Sequence, residues 1–336
     1  MKLLEVEDLR VHFKRRGGRL FRPAPVVRAV DGLSFSIERG RTLALVGESG
    51  SGKSTTALAV ARLAPVTGGT VRLAGRDLTL MRGDTLRQAR RRIQMVFQDP
   101  YSSLNPRQRA GDIVRAPLDL MDVGEPSRRD ARVAELFEAV GLRPEQRQLF
   151  PHQFSGGQRQ RINIARALAT EPDLIVCDEP VSALDIAIRA QMLNLLRRLQ
   201  RERGLAFLFI SHDMSVVEYV CDDIAVMYLG QIVERAPREA FFSRPLHPYS
   251  VALSSAVPTV RGGRERAARR IRLMGDPPSP IAPPPGCRFA GRCPVAEPLC
   301  HAECPPLREV APGHAVRCHR VTVSGDAVLP PLAMPA

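Results

Sequence analysis

No apolar run in these 336 residues is long enough to cross a bilayer. A membrane-spanning helix needs about 20 consecutive, mostly apolar residues, and the longest candidates here are of strand length. A chain carrying its own helical spans is therefore not expected. The opening residues, MKLLEVEDLR, also lack the uninterrupted apolar core of a secretory leader. A soluble, cytosolic chain is expected. Lysine is missing from the tail: beyond residue 260 there are 11 Arg and no Lys against 6 acidic residues. That leaves most of the formal net charge of +14 to the first 260 residues. Charge spread in this way suits an arginine-rich soluble surface or one facing a membrane better than a nucleic-acid site. The cysteines, finally, lack the C-x2-C pairs of a zinc ribbon.

What is present supports a sizeable core. Hydrophobic residues make up 44% of the chain, and its length suits one large domain plus a smaller one. Residues 3–13 and 26–37 alternate as strands, with a basic, Gly/Pro-interrupted loop between them. TLALVG at 42–47 is a short apolar run that stops at a glycine-rich loop, and a helix should follow from Lys53 to Ala61. Between about 105 and 170 the period is mostly helical, with Val133, Leu136, Phe137 and Val140 on one face. Helices are also expected at 158–169 and 186–203, the second capped by Gly204. DLIVCDEP at 173–180 and LAFLFIS at 205–211 read as buried strands. Strands alternating with helices predict an α/β fold, a mainly parallel sheet covered on both faces. Near residue 250 the composition shifts to Pro, Gly, Arg and Ala, so the expected units are 1–255 and 256–336, with a helical part at about 100–170.

GESGSGKS, Gly47 to Ser54, fits G-x-x-x-x-G-K-[ST] between a strand and a helix. The glycines let the backbone wind tightly, so that the amides from Gly47 through Ser49, Gly50, Ser51 and Gly52 turn inward around phosphates. The helix N-terminus adds partial positive charge. Lys53 is placed to reach the β- and γ-phosphates, and Ser54, with Thr55 beside it, offers a hydroxyl to Mg²⁺. In LIVCDEP, Asp178 follows an apolar strand and is placed to hold Mg²⁺, directly or through water. Glu179 is free to act on an attacking water as general base. His212, ending the next strand in FISHD, is placed to reach a γ-phosphate and orient that water.

FSGGQRQR, Phe154 to Arg161, resembles the signature motif of ABC ATPases. The phosphate loop, Gln98 in VFQDP, the SGGQ motif, LIVCDEP, SALD at 182–185 and His212 stand in that family's order, across residues 40–215. The resemblance implies a P-loop ATPase core with an N-terminal antiparallel β part, a helical signature subdomain and a small loop-rich C-terminal domain. It also implies a head-to-tail dimer with two ATPs between chains. Ser155, Gly156, Gly157 and Gln158 would cap the partner's ATP, and Asp185 would lie at the dimer seam. Gln98 would contact Mg²⁺ and the water, with its loop sensing the membrane partner. Phe13 is the candidate for stacking on adenine, although Tyr is the commoner residue there. Phe154 stands where Leu is usual, and Asn163 where a small residue is usual.

Longer strings, among them PYSSLNPR, PHQFSGGQRQRINIARAL and RPLHPYSVALSSAVP, are similar to the oligopeptide/dipeptide/nickel importer ATPases. The basic segment before VVRAVDGL looks like the F-type of the two paired peptide-importer ATPases. The resemblance implies an ATP-hydrolysing subunit that energises di- or oligopeptide import. Its partners would be two membrane permeases, a second ATPase subunit and an external solute-binding protein, and its place the cytoplasmic face of the membrane. Nickel, glutathione or another small solute remains open as cargo. A DNA-repair or translation ATPase shares the motifs, but only about 100 residues separate phosphate loop and signature, too few for a long coiled coil, and there is one cassette.

Five of seven cysteines crowd into residues 287–318. Clustered cysteines in a cytosolic chain suggest metal or redox chemistry more than disulfides. Four thiolates from a loop-rich segment can hold a [4Fe–4S] cluster, which makes Cys287, Cys293, Cys300 and Cys318 candidate ligands, with Cys304, His301, His314 and His319 as alternates. The other possibility is a set of reduced thiols in a docking tail. Cys177 and Cys221, in apolar surroundings, are expected to be inert core thiols.

Overall fold

A computed structural model describes residues 1–14, 25–99, 101–255, 271 and 273–321. The basic segment after β1 and the chain beyond 321 lie outside the described residues. The elements run β1 (Lys2–Lys14), β2 (Val26–Glu38), β3 (Thr42–Val46), α1 (Lys53–Val60), β4 (Gly68–Leu73), β5 (Arg76–Asp77), α2 (Gly83–Arg91) and β6 (Ile93–Val96). Then follow α3 (Ala110–Leu120), α4 (Arg129–Ala139), α5 (Gly156–Leu168), β7 (Leu174–Asp178), α6 (Ile186–Arg203), β8 (Ala206–Ile210), α7 (Met214–Val220), β9 (Asp223–Tyr228) and β10 (Gln231–Pro237). The last are α8 (Arg238–Ser243), α9 (Pro248–Ser255), a short helix at Pro298–Ala302, β11 (Arg308–Ala311) and β12 (His314–Val316).

The strands form two sheets. β2-β1-β4-β5 is antiparallel. The larger sheet runs β11-β12-β10-β9-β3-β8-β7-β6, and its β9-β3-β8-β7-β6 stretch is parallel. A parallel strand between two layers must be apolar on both faces, and period two divides its residues between them. In β3, Ala44 and Val46 join one core while Leu43 and Leu45 join the other. β7 and β8 divide the same way: Cys177 and Phe209 face the first core, Val176 and Leu208 the second. Cys177 and Cys221 are buried, and desolvation pushes both thiols up, which keeps them unreactive as expected. Among the described residues no helix is long and apolar enough to cross a membrane.

The helical region packs as its period predicts. Val133, Leu136, Phe137 and Val140 are all buried in the first core, together with Ile162 and Leu168 of α5. Phe137→Ala is expected to cost about 3–5 kcal/mol through lost burial and the cavity left behind. Denaturant unfolding of the purified chain checks it, and a loss under about 1 kcal/mol would mean the site collapses around the gap.

Aperiodic though it reads, the tail supplies β11 and β12, which extend the larger sheet: Glu234 and Arg235 of β10 pair with Val316 and Ala315 of β12. A carboxylate helps hold them there. Glu234 is fully buried, accepts from the backbone N–H groups of Leu246 and His247 at 2.9 and 2.7 Å, and meets Nε2 of His314 at 2.7 Å. Next to it, burial pushes the His247 imidazole down to about 4, and its Nδ1 accepts from the Tyr249 N–H at 3.1 Å. Held neutral when folded, His247 binds its proton more readily in the unfolded chain. Its contribution is therefore lost as pH falls from about 6.5 toward about 4. The urea midpoint is expected to fall between about pH 7 and pH 5; a flat profile would contradict a neutral, buried His247.

Candidate active site

β3 ends at Val46 and α1 begins at Lys53, so the phosphate loop joins a buried strand to a helix N-terminus. Two of its glycines are demanded by neighbouring backbone. A Cβ on Gly47 would stand 2.1 Å from the Met227 carbonyl oxygen, and one on Gly52, at φ +104°, 2.2 Å from that of Ala29. Lys53 is buried, and its Nζ donates to the carbonyls of Gly47 and Glu48, each at 2.8 Å. Burial pushes its amine down, against the pull of Glu179, Asp178 and Glu48.

β7 brings the two acids to the same edge. The Ser54 hydroxyl donates to Asp178 Oδ1 at 3.1 Å. Burial pushes the Asp178 carboxyl up, partly offset by that hydrogen bond. Glu179 turns away from the strand direction at φ +49°, a conformation that strains a residue with a Cβ. Its N–H donates to the Ile210 carbonyl of β8 at 3.0 Å, which fixes the turn. Its carboxylate is gripped at both oxygens: Gln98 Nε2 donates to Oε2 at 3.1 Å, and His212 Nδ1 lies 2.9 Å from Oε1. The Glu179 side chain is only 16% exposed while that of His212 is 61% exposed, so the histidine faces the open side.

These groups line one cavity of about 630 Å³, with Ser49, Gly50, Gly52, Lys53, Ser54, Thr55, Gln98, Glu179 and His212 in its wall. That volume suits a nucleotide. The rest of the wall has no counterpart in the sequence reading. It is Val27, Arg28 and Ala29 of β2, Leu229 and Gly230 of the β9–β10 turn, and Pro280 of the tail. Phe13 is not among the lining side chains. It is 40% exposed, and its ladder partner Val27 lines the cavity instead. No local signal marked the β9–β10 turn or Pro280, because only tertiary pairing brings them here.

Ser155, Gly156, Gly157 and Gln158 do not line this cavity either. They form the start of α5, where the Gln158 N–H donates to Ser155 Oγ at 3.3 Å and Gln158 Oε1 accepts from the Ser155 N–H at 3.0 Å. A Cβ on Gly157 would meet Ile188 of α6 at 2.5 Å. Asp185 caps α6 in extended backbone without a side-chain cap bond, so its carboxylate stays available.

The sequence profile of the ABC transporter family matches residues 30–182. A second, for the C-terminal region of oligopeptide/dipeptide transporters, matches residues 233–300. A probable peptide ABC transporter ATP-binding protein of Sinorhizobium fredii is 48% identical over 332 residues, covering 99% of this chain and 94% of that protein. The chain belongs to the ABC transporter family. Another member, the oligopeptide transport ATP-binding protein AppF of Bacillus subtilis, is 47% identical, over 94% of this chain and 97% of its own. Among solved structures, an ATP-binding cassette seen as a dimer in a post-hydrolysis state with ADP and Pi superposes at a TM-score of 0.62. It is 28% identical and covers 70% of this chain and 99% of its own. The cavity is therefore that of an ABC ATPase, and ATP hydrolysis is its reaction. Gly52→Ala is expected to weaken ATP binding about tenfold, because the left-handed backbone and the Ala29 contact together add about 1–3 kcal/mol of strain. Titration with a fluorescent ATP analogue checks it.

The iron–sulfur expectation is not supported. Among the described residues no group of three or more His, Cys, Asp or Glu side chains is arranged to hold a metal ion. Cys287, Cys293, Cys300 and Cys318 do line one space together, but it measures about 10 Å³, room for about one water. Desolvation pushes the Cys287 and Cys293 thiols up to about 11 and raises that of Cys318.

Proposed function

We propose that this ATPase energises uptake of di- or oligopeptides from the cytoplasmic face of the membrane. It would act with a second ATPase subunit on two permeases that receive cargo from an external binding protein. The peptide assignment is supported by relatives whose names are those of peptide and oligopeptide transport ATP-binding proteins. The catalytic assignment rests on one observation: Glu179, strained and half-enclosed, is held by both oxygens between Gln98 and His212 at the mouth of the phosphate loop. The same reading divides the chain into an ATPase unit, 1–255, and an accessory unit, 256–336.

In this reading the amides of Ser49, Gly50 and Gly52 and the Lys53 amine hold the phosphates, while Glu179 takes the proton of the attacking water. His212 and Gln98 fix the orientation of that carboxylate. A magnesium ion suits the donor set of Ser54, Asp178 and Gln98, since a buried carboxylate held above its usual range is relieved by a cation. Bound there, Mg²⁺ neutralises charge on the transferred phosphoryl group. Ser155, Gly156, Gly157 and Gln158 begin a helix whose N-terminus would cap the partner's γ-phosphate, with Asp185 at the seam. Closure around two ATPs would drive the permeases, since a ligand moves a conformational equilibrium by its preference for one state.

Reconstitution with the neighbouring permeases and binding protein tests the cargo. Hydrolysis is expected to rise when the binding protein carries a peptide. Stimulation by nickel or glutathione, with none by peptides, would move the assignment to those solutes.

A further inference from the structure

The tail reaches the phosphate loop itself. Arg292 forms a two-pronged ion pair with Glu48, the second residue of that loop: Nη1 donates to Oε2 at 2.7 Å and Nη2 to Oε1 at 3.0 Å. The Arg292 side chain is only 8% exposed, and its Nη1 also donates to Tyr228 Oη at 3.3 Å. The hydrogen bonds to Glu48 hold the guanidinium well above its ordinary range. Phe289, three residues earlier, seats the arginine by packing edge-on against Tyr228 at 5.3 Å and tilted against Tyr249 at 5.4 Å. Arg288 on the same segment pairs with Asp31 and donates to the Leu229 carbonyl, in the turn that walls the cavity.

The Glu48 backbone does not need this pair. Its N–H donates to Tyr249 Oη at 2.7 Å, and its carbonyl accepts from Lys53 Nζ at 2.8 Å and the Ser51 N–H at 3.2 Å. What remains for Arg292 to fix is the carboxylate. Glu48 lies between Gly47 and Ser49, in a loop built to receive a triphosphate of the same sign. Yet the cavity wall includes Ser49, Gly50, Gly52 and Lys53 and not Glu48. A free carboxylate there would repel the phosphates and compete for the Lys53 amine.

We propose that Arg292 is a positioning residue of the nucleotide site, which turns the Glu48 carboxylate out of the phosphate cavity and cancels its charge. The C-terminal segment is thereby a working part of the ATP site. This rests on the assignment of the cavity to ATP.

The test is Mg·ATP affinity and steady-state hydrolysis of full-length variants. Arg292→Ala is expected to raise Kd and KM for Mg·ATP roughly tenfold, with kcat within about twofold of wild type. Glu48→Gln alone is expected to bind normally, and the double variant Arg292→Ala/Glu48→Gln to recover most of the affinity, since removing the charge removes the need to hide it. A purely structural tether predicts no such recovery. A double variant as weak as Arg292→Ala, or Arg292→Ala at wild-type affinity, overturns the proposal. If Arg292→Ala gives no folded protein, Arg292→Lys carries the test. Lysine keeps the charge but loses the fork, so a severalfold rise in KM at unchanged kcat is expected, and an unchanged KM overturns the proposal. A wild-type chain that binds no Mg·ATP overturns this proposal together with the cavity assignment, whereas an unaffected Arg292→Ala in a wild type that binds overturns this one alone.

Discussion

Glu179→Gln should bind Mg·ATP with near wild-type affinity and hydrolyse it at least about a hundredfold more slowly, the scale of a lost general base. The amide is isosteric with the carboxylate, so the strained turn and its N–H to Ile210 have no reason to move. The Gln98 contact can persist through the amide oxygen, and the His212 contact through the other tautomer. Only the ability to accept a proton from water is lost, which lowers kcat and leaves binding intact. Asp178 does not replace it, because that carboxylate is committed to Ser54 and lies deeper, where burial favours its protonated form. Pre-steady-state phosphate release and nucleotide titration on the same sample separate the two effects. Hydrolysis near the wild-type rate would remove Glu179 from the chemistry.

Lys53→Met should fail one step earlier, at binding. The chain has three lysines, Lys2, Lys14 and Lys53, so no neighbouring amine can substitute. The buried Lys53 Nζ donates to the carbonyls of Gly47 and Glu48, within the loop that receives the phosphates. A hydrogen bond to a charged group contributes up to about 3 kcal/mol, so the Kd for Mg·ATP is expected to rise about 100-fold. The fold itself should survive. Burial already disfavours the charged amine, and methionine fills a similar volume at less desolvation cost. An unchanged melting temperature with lost ATP binding is the expected pair of results. Lost binding that accompanies unfolding would instead make Lys53 structural.

What could be read from the sequence depended on how local its cause was. The phosphate loop was legible because strand, glycine turn and helix are contiguous, although the carbonyls that crowd Gly47 and Gly52 belong to Met227 and Ala29, distant in sequence. The α4 face was legible because helical period alone places Val133, Leu136, Phe137 and Val140 together. The grip of Gln98 and His212 on Glu179 could be expected in kind but not in geometry, since the turn at φ +49° depends on β8. Phe13 illustrates the opposite case. Phe13 pairs with Val27 across the β1–β2 ladder, yet Val27 lines the cavity and Phe13 does not, a placement set by tertiary packing and not by the local pattern of either strand. The tail was least legible. Its strands and helices are short, and the pairing of Arg292 with Glu48 spans 244 positions, a distance at which no periodicity carries information. The cysteines drew attention there, yet residues 288, 289 and 292 among them make the contacts that reach the ATP site.

The most direct measurement is uptake of a labelled oligopeptide into vesicles that hold the permeases, with binding protein outside them and this chain enclosed. Uptake is expected to require enclosed Mg·ATP and to fall to background when Glu179→Gln replaces the wild-type chain in every ATPase position. Uptake that continues undiminished with that variant, or without ATP, would contradict a role in powering import.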